Sequence, residues 1–170
     1  IFKNVAKDKY VITGVNLQLS RDHKLSTTYG AIQDVLKERS ILHPTIQDVS
    51  KAVISIRQSK LPDPKVIGNA GSFFKNPVIP TEQFEKIKVT HPTLPGYPAE
   101  EGLTKVPAGW LIEQSGWKGY RRGNAGCYEK QALVLVNQGG ARGEEVWDLA
   151  QDIISSVKDK FQIELNPEVN

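Results

Sequence analysis

A hydroxyl, an ammonium and a carboxamide stand close together at Ser72, Lys75 and Asn76, inside the nonapeptide Asn69-Ala70-Gly71-Ser72-Phe73-Phe74-Lys75-Asn76-Pro77. Gly68 and Gly71 permit backbone angles closed to other residues, and Asn69 is one of the few that tolerates them, so the chain can turn sharply beside a ligand. Ser72 would then project from a short, stiff step. Two rings follow it, one expected beneath the step and the other walling a cavity, which would hold the hydroxyl in a fixed and partly dry place. The plainer alternative is a turn leading into a buried strand.

With its lead-in Lys60-Leu61-Pro62-Asp63-Pro64-Lys65, this stretch resembles the MurB family, the UDP-N-acetylenolpyruvoylglucosamine reductases of bacterial peptidoglycan synthesis. Further matches follow in order at Ala108-Gly109-Trp110-Leu111-Ile112-Glu113-Gln114, Lys118-Gly119-Tyr120, Gln131-Ala132-Leu133-Val134-Leu135-Val136-Asn137 and Leu165-Asn166-Pro167-Glu168-Val169, so the resemblance covers nearly the whole chain. It departs from the family pattern between Arg122 and Tyr128. There Arg122 and Asn124 replace a small or apolar residue and a glycine, and Cys127-Tyr128 replaces a frequent Val-His pair.

The resemblance implies an oxidoreductase in which NADPH reduces FAD, and reduced flavin then reduces UDP-N-acetylglucosamine enolpyruvate to UDP-N-acetylmuramate. Ser72 matches the proton donor. Glu168 matches a catalytic carboxyl that, with an arginine outside this chain, steadies the enolate, and for that it must be protonated or shared with a cation. Tyr29, Lys60, Asn76 and Gln131 match substrate-binding positions, Tyr97 in Gly96-Tyr97-Pro98 is read as a substrate-binding loop ring lying against the nucleotide, and Arg57 and Leu61 are assigned to the cofactor. FAD would be held mostly by an N-terminal half expected to precede Ile1, leaving the chain alone inactive. Each residue also has a plainer reading: a ring capping a sheet for Tyr29, helix-end charges for Arg57 and Lys60, packing on its own loop for Tyr97, and solvation for Glu168.

The net charge of +3, from 22 basic and 19 acidic residues, supplies neither a nucleic-acid stripe nor a membrane surface, so neither partner is expected. Cys127 is the sole cysteine, which excludes an internal disulfide and a multi-cysteine metal site. No metal is expected. With no apolar run near the roughly 20 residues of a membrane span and no charged-then-apolar leader, the chain reads as cytoplasmic. It also lacks methionine, and is expected to be a fragment.

The elements that must position these residues follow from periodicity. Val11, Thr13, Val15, Leu17 and Leu19 alternate as a strand over 10–19, and Thr27-Thr28-Tyr29-Gly30 ends a second extended piece. Thr45 with Asp48 starts a helix to Gln58, and the prolines at 62 and 64 stop it and mark an extended hinge. Further helices are expected over 81–89 (capped by Thr81), 108–114 and 143–161, and strands over 132–136 and 162–165. The Gly116 to Gly126 stretch, four glycines among three cations and two rings, can bind RNA, hold a diphosphate and a uracil, or be a bare surface loop. The RNA reading makes a non-catalytic nucleotide- or RNA-binding module the alternative function. Together these give an α+β fold. Residues 1–61 are expected to end a flavin-binding domain, and 62–170 to form a small substrate domain with a mixed or antiparallel sheet.

Overall fold

The computed structural model describes residues 5–169 apart from 7, 8, 23 and 29. Residues 1–52 and 53–170 form two compact units. In the first, α1 (Ile32–Glu38) buries Ile32 and Leu36, one turn apart. Helix α2 (Ile46–Lys60) begins as its sequence requires. The Asp48 carboxylate accepts from the Thr45 amide (2.9 Å) and hydroxyl (2.6 Å), and the Thr45 oxygen accepts from the Asp48 amide at 3.3 Å. This reciprocal cap satisfies donors that the first turn leaves open. The Thr45 hydroxyl also holds the Asp48 carboxyl below its ordinary pKa.

The expected strand at 10–19 does not form. These residues carry no regular structure and all are exposed, Val11 to 88% and Leu19 to 84%. Alternation marks a face that could be buried, but a strand needs a neighbour for its amides and carbonyls, and none pairs with it among the described residues.

The second unit holds β1 (Gly68–Ser72), β2 (Val78–Pro80), α3 (Thr81–Thr90), β3 (Tyr97–Pro98), β4 (Leu103–Lys105), α4 (Ala108–Gln114), β5 (Arg121–Arg122), β6 (Ala125–Cys127), β7 (Val134–Asn137) and α5 (Gly143–Phe161). One sheet has the order β1-β7-β6-β5 and the other β2-β4-β3. Every pairing is antiparallel. The fold is therefore α+β, as its sequence predicts.

Helix α5 supplies much of the core. Leu149, Ala150, Ile153 and Val157 are fully buried and Phe161 nearly so, along the one stripe that a period of 3.6 allows. Full burial of each large aliphatic contributes about 1.5–3 kcal/mol. The helix starts where the Glu145 carboxylate accepts from the Arg142 amide (2.8 Å) and ends at Gln162, whose φ of +56° breaks the helical path.

Three sequence expectations are corrected here. Pro80, not Thr81, occupies the cap position of α3, and the Thr81 hydroxyl instead meets that of buried Thr104 at 2.9 Å. Residues 162–165 form no strand, because alternate side chains Ile163 and Leu165 plug the core without a ladder partner. The proline hinge is not simply extended: Asp63 accepts amides from Lys65, Val66 and Ile67 and folds 64–67 into a turn.

Candidate functional site

The step carrying Ser72 is a bulge. Along β1 and β7, Gly68 faces Asn137 and Asn69 faces Val136, but Ser72 faces Val134, so β1 holds one residue more than its partner. Gly71 absorbs the surplus with φ +73°. No atom lies within 4 Å of where its Cβ would be, so the need for glycine there comes from the backbone angle alone. Asn69 braces the step, its amide donating to Ile67 (3.0 Å) and its oxygen accepting from the Gly71 amide (3.1 Å).

Phe73 and Phe74 are both buried, edge to face at 5.2 Å. Because both rings turn inward, neither covers Ser72. The hydroxyl residue is exposed, which corrects the expectation of a partly dry setting made by its own neighbours. Phe73 also lines an apolar cavity of about 440 Å³ with Asn69, Ala70, Leu135, Trp147 and Val169.

The backbone of Phe73 joins three parts of the chain. Its amide donates to the Leu133 carbonyl (2.8 Å), and its carbonyl accepts from the Glu168 amide (2.8 Å). One residue on, Phe74 bridges Pro167 antiparallel, and the Lys75 amide donates to Asn166 at 2.9 Å. Glu168 is thus one hydrogen bond from the residue after Ser72. Its side chain lies on the exposed surface and is not without a partner.

Asn76 and Gln131 meet at the first turn of α4. The Asn76 Oδ1 accepts from the Ala108 amide (2.9 Å), capping a helix whose own cap residue, Pro107, supplies no side-chain bond. The Gln131 Oε1 accepts from the Leu133 amide at 3.3 Å, and a Cβ on Gly109 would stand 3.1 Å from that oxygen. With both side-chain oxygens engaged by backbone donors, each amide keeps its NH₂ group as a donor. Gly109 was not legible as a site neighbour: a small residue in a helical stretch looks like any packing residue.

Other candidates sit apart. Tyr97 lies in β3 opposite Lys105, 57% exposed. Arg57 and Leu61 line an open hollow of about 510 Å³ with Pro62, Asp63 and Pro64, which includes none of the residues around Ser72. Lys60 ends α2 and is exposed. Tyr29 lies outside the described residues.

The glycine-rich basic stretch contains a hairpin rather than an open loop. β5 and β6 turn at Gly123-Asn124, with Gly123 at φ +59°. Its cations are engaged internally: Lys118 pairs Glu113 (2.9 Å), Arg122 pairs Asp152 (2.5 Å), and Arg121 donates to the Gly123 carbonyl (2.7 Å). Trp117 and Tyr120 pack on each other edge to face at 4.8 Å. Beneath the hairpin the Cys127 thiol is buried against the Ala132 carbonyl, and burial pushes its pKa up to about 12. Among the described residues, no group of three or more His, Cys, Asp or Glu could hold a metal ion, and no helix is long and apolar enough to cross a membrane.

A family model described as the C-terminal domain of UDP-N-acetylenolpyruvoylglucosamine reductase matches residues 63–170. The UDP-N-acetylenolpyruvoylglucosamine reductase of Chromobacterium violaceum is 54% identical over 168 residues, covering 99% of this chain and 49% of its own length. That of Flavobacterium johnsoniae is 50% identical over 171 residues, covering 100% and 51%. A crystal structure of the Thermus caldophilus enzyme aligns with 77% of this chain and 35% of its own, at 25% identity and a TM-score of 0.42. The chain spans about half the length of the curated relatives it matches.

Proposed function

Because the chain belongs to the UDP-N-acetylenolpyruvoylglucosamine reductase family, we propose that it is the substrate-handling part of an FAD- and NADPH-dependent reductase that converts UDP-N-acetylglucosamine enolpyruvate to UDP-N-acetylmuramate. Residues 1–61 end the flavin domain in this reading, and 62–170 form the substrate domain. What carries it is the backbone of Phe73, whose amide and carbonyl bring the Ser72 step, the turn at Leu133 that follows Gln131, and the Glu168 tail into one neighbourhood.

The hollow beside Arg57 and Leu61 is open and carries one cation, which suits an edge of a flavin nucleotide and not its whole. Most of the FAD site then falls to the portion of the relatives that this chain does not span. When bound, the flavin supplies hydride to the methylene carbon of the enolpyruvyl ether.

The remaining work belongs to this chain's side chains. Hydride addition leaves negative charge on the neighbouring carbon, delocalised into the carboxylate, and that carbon must then take a proton. The Ser72 hydroxyl is a weak acid that can donate only to so strong a base, at hydrogen-bond distance and away from bulk water. Ser72 is exposed in this chain, so the bound substrate and the flavin side must close over it. Glu168, protonated or shared with a cation, steadies the enolate from the tail. Asn76 and Gln131 offer NH₂ donors to acceptor oxygens of the nucleotide-sugar, and Lys60, Tyr97 and Tyr29 complete its contacts.

The test uses the chain fused to the complementary half of the Chromobacterium violaceum relative. Ser72→Ala is expected to leave reduction of the flavin by NADPH unchanged and to slow its reoxidation by substrate by about 10²–10⁴-fold. Equal reoxidation rates in single turnover would remove Ser72 from the role of proton donor.

A further inference from the structure

We propose that Pro167 is a positioning residue for the Glu168 carboxyl, holding it against the Ser72 strand through the backbone. The inference rests on the function proposed above. Glu168 sits on a tail otherwise held from behind: Leu165 is 1% exposed, and Val169 packs against the same core. Between those two anchors the tail joins the Ser72 strand by one residue pair, Pro167 with Phe74, flanked by two hydrogen bonds. These run from the Lys75 amide to the Asn166 carbonyl (2.9 Å) and from the Glu168 amide to the Phe73 carbonyl (2.8 Å).

Neither bond uses the amide of residue 167, so proline, which has none, costs the bridge nothing. Its ring meanwhile fixes φ near −65° and drives Asn166 into extended geometry. Both restrictions favour the conformation in which the flanking groups can bond. An isolated bridge with only two hydrogen bonds would otherwise open, because little enthalpy opposes the backbone entropy of release. The pyrrolidine ring removes much of that entropy in advance, so the backbone that carries an exposed carboxyl keeps a fixed place on the Phe73 carbonyl.

Pro167→Gly tests this, since it keeps both hydrogen bonds possible while removing the ring and its restriction. In the 170-residue chain, amide exchange at Glu168 is expected to rise at least 10-fold, with exchange at Leu149 and Ile153 unchanged. In the fused enzyme, kcat is expected to fall about 10–100-fold with KM within about twofold, as for a misplaced catalytic group. Pro167→Ala should recover part of the loss, and Ile163→Val, a conservative core change on the same tail, should leave kcat alone. Unchanged exchange at Glu168 in Pro167→Gly overturns the inference. So does full turnover in Pro167→Gly where Glu168→Gln is inactive, a result that spares the proposed function. A fully active Glu168→Gln overturns the role of Glu168 and the inference with it.

Discussion

The Ser72 strand and the hairpin at 121–127 are made of similar material: glycines at positive φ, polar side chains and adjacent rings. They differ in where their hydrogen-bonding capacity goes. Around Ser72 it is mostly backbone that bonds backbone, through Phe73 to Leu133 and Glu168, and the Asn76 and Gln131 amides bond the backbone through their oxygens and keep their NH₂ donors. In the hairpin and just before it the side chains themselves are paired, Lys118 and Arg122 with carboxylates and Arg121 with its own turn. A stretch rich in cations is therefore not a binding site when acids of the same chain already answer them. Nothing in the hairpin's geometry favours RNA over a structural role.

If that contrast is correct, the same glycine replacement should act differently in the two places. Gly71→Ala and Gly123→Ala each force a side chain into the left-handed region, at about 1–2 kcal/mol. Denaturant titration should show similar stability losses. Only Gly71→Ala should also cut turnover of the fused enzyme, by about 10²-fold, because it moves the Ser72 step. Comparable turnover in the two variants would erase the distinction.

The next effect concerns removal of one partner. Asn76→Ala strands the Ala108 amide at the start of α4 and should cost about 1–3 kcal/mol in thermal or denaturant unfolding, in addition to weakening substrate binding.

A pH scan probes the floor of the hairpin. The Cys127 thiol ionises near 9.0 when unfolded, and burial raises it to about 12 in the fold. Its contribution is thus complete below pH 9 and declines as pH rises toward 12, because only the unfolded chain releases the proton. At pH 10 the loss should be on the order of 1 kcal/mol relative to pH 8, and absent in Cys127→Ala. A pH-independent difference between the two proteins would mean that water reaches the thiol.

The smallest effect is expected at the hairpin's surface. Arg122→Ala should change stability by less than about 1 kcal/mol and leave turnover untouched, since both partners of its ion pair are about half exposed. A large loss of substrate affinity would instead make that arginine part of the site.

Much of this arrangement was present in the residue order. Thr45 with Asp48 marked the start of α2, the 3.6-residue stripe from Val146 to Phe161 marked α5, which runs from Gly143 to Phe161, and Ala108 to Gln114 is α4 as expected. These are features whose hydrogen bonds close within one turn, so the local sequence suffices to define them. The glycines of the Ser72 step were legible for the same reason. Exposure of Ser72 was not, because it depends on which way two adjacent rings turn, and that is decided by the core they enter.

Strands and tails answer to residues far away. Residues 10–19 have the alternation of a strand and no ladder, whereas 73–75 look like the middle of a motif and bond the tail 93 positions downstream at Pro167. Sequence alone determined which residue types could donate, accept or fill space and which local turns were allowed. Only the tertiary structure decided that the Phe73 peptide would bond Leu133 on one side and Glu168 on the other. Pairing over such distances is chosen by the free energy of burying the whole core, which no short window of sequence contains.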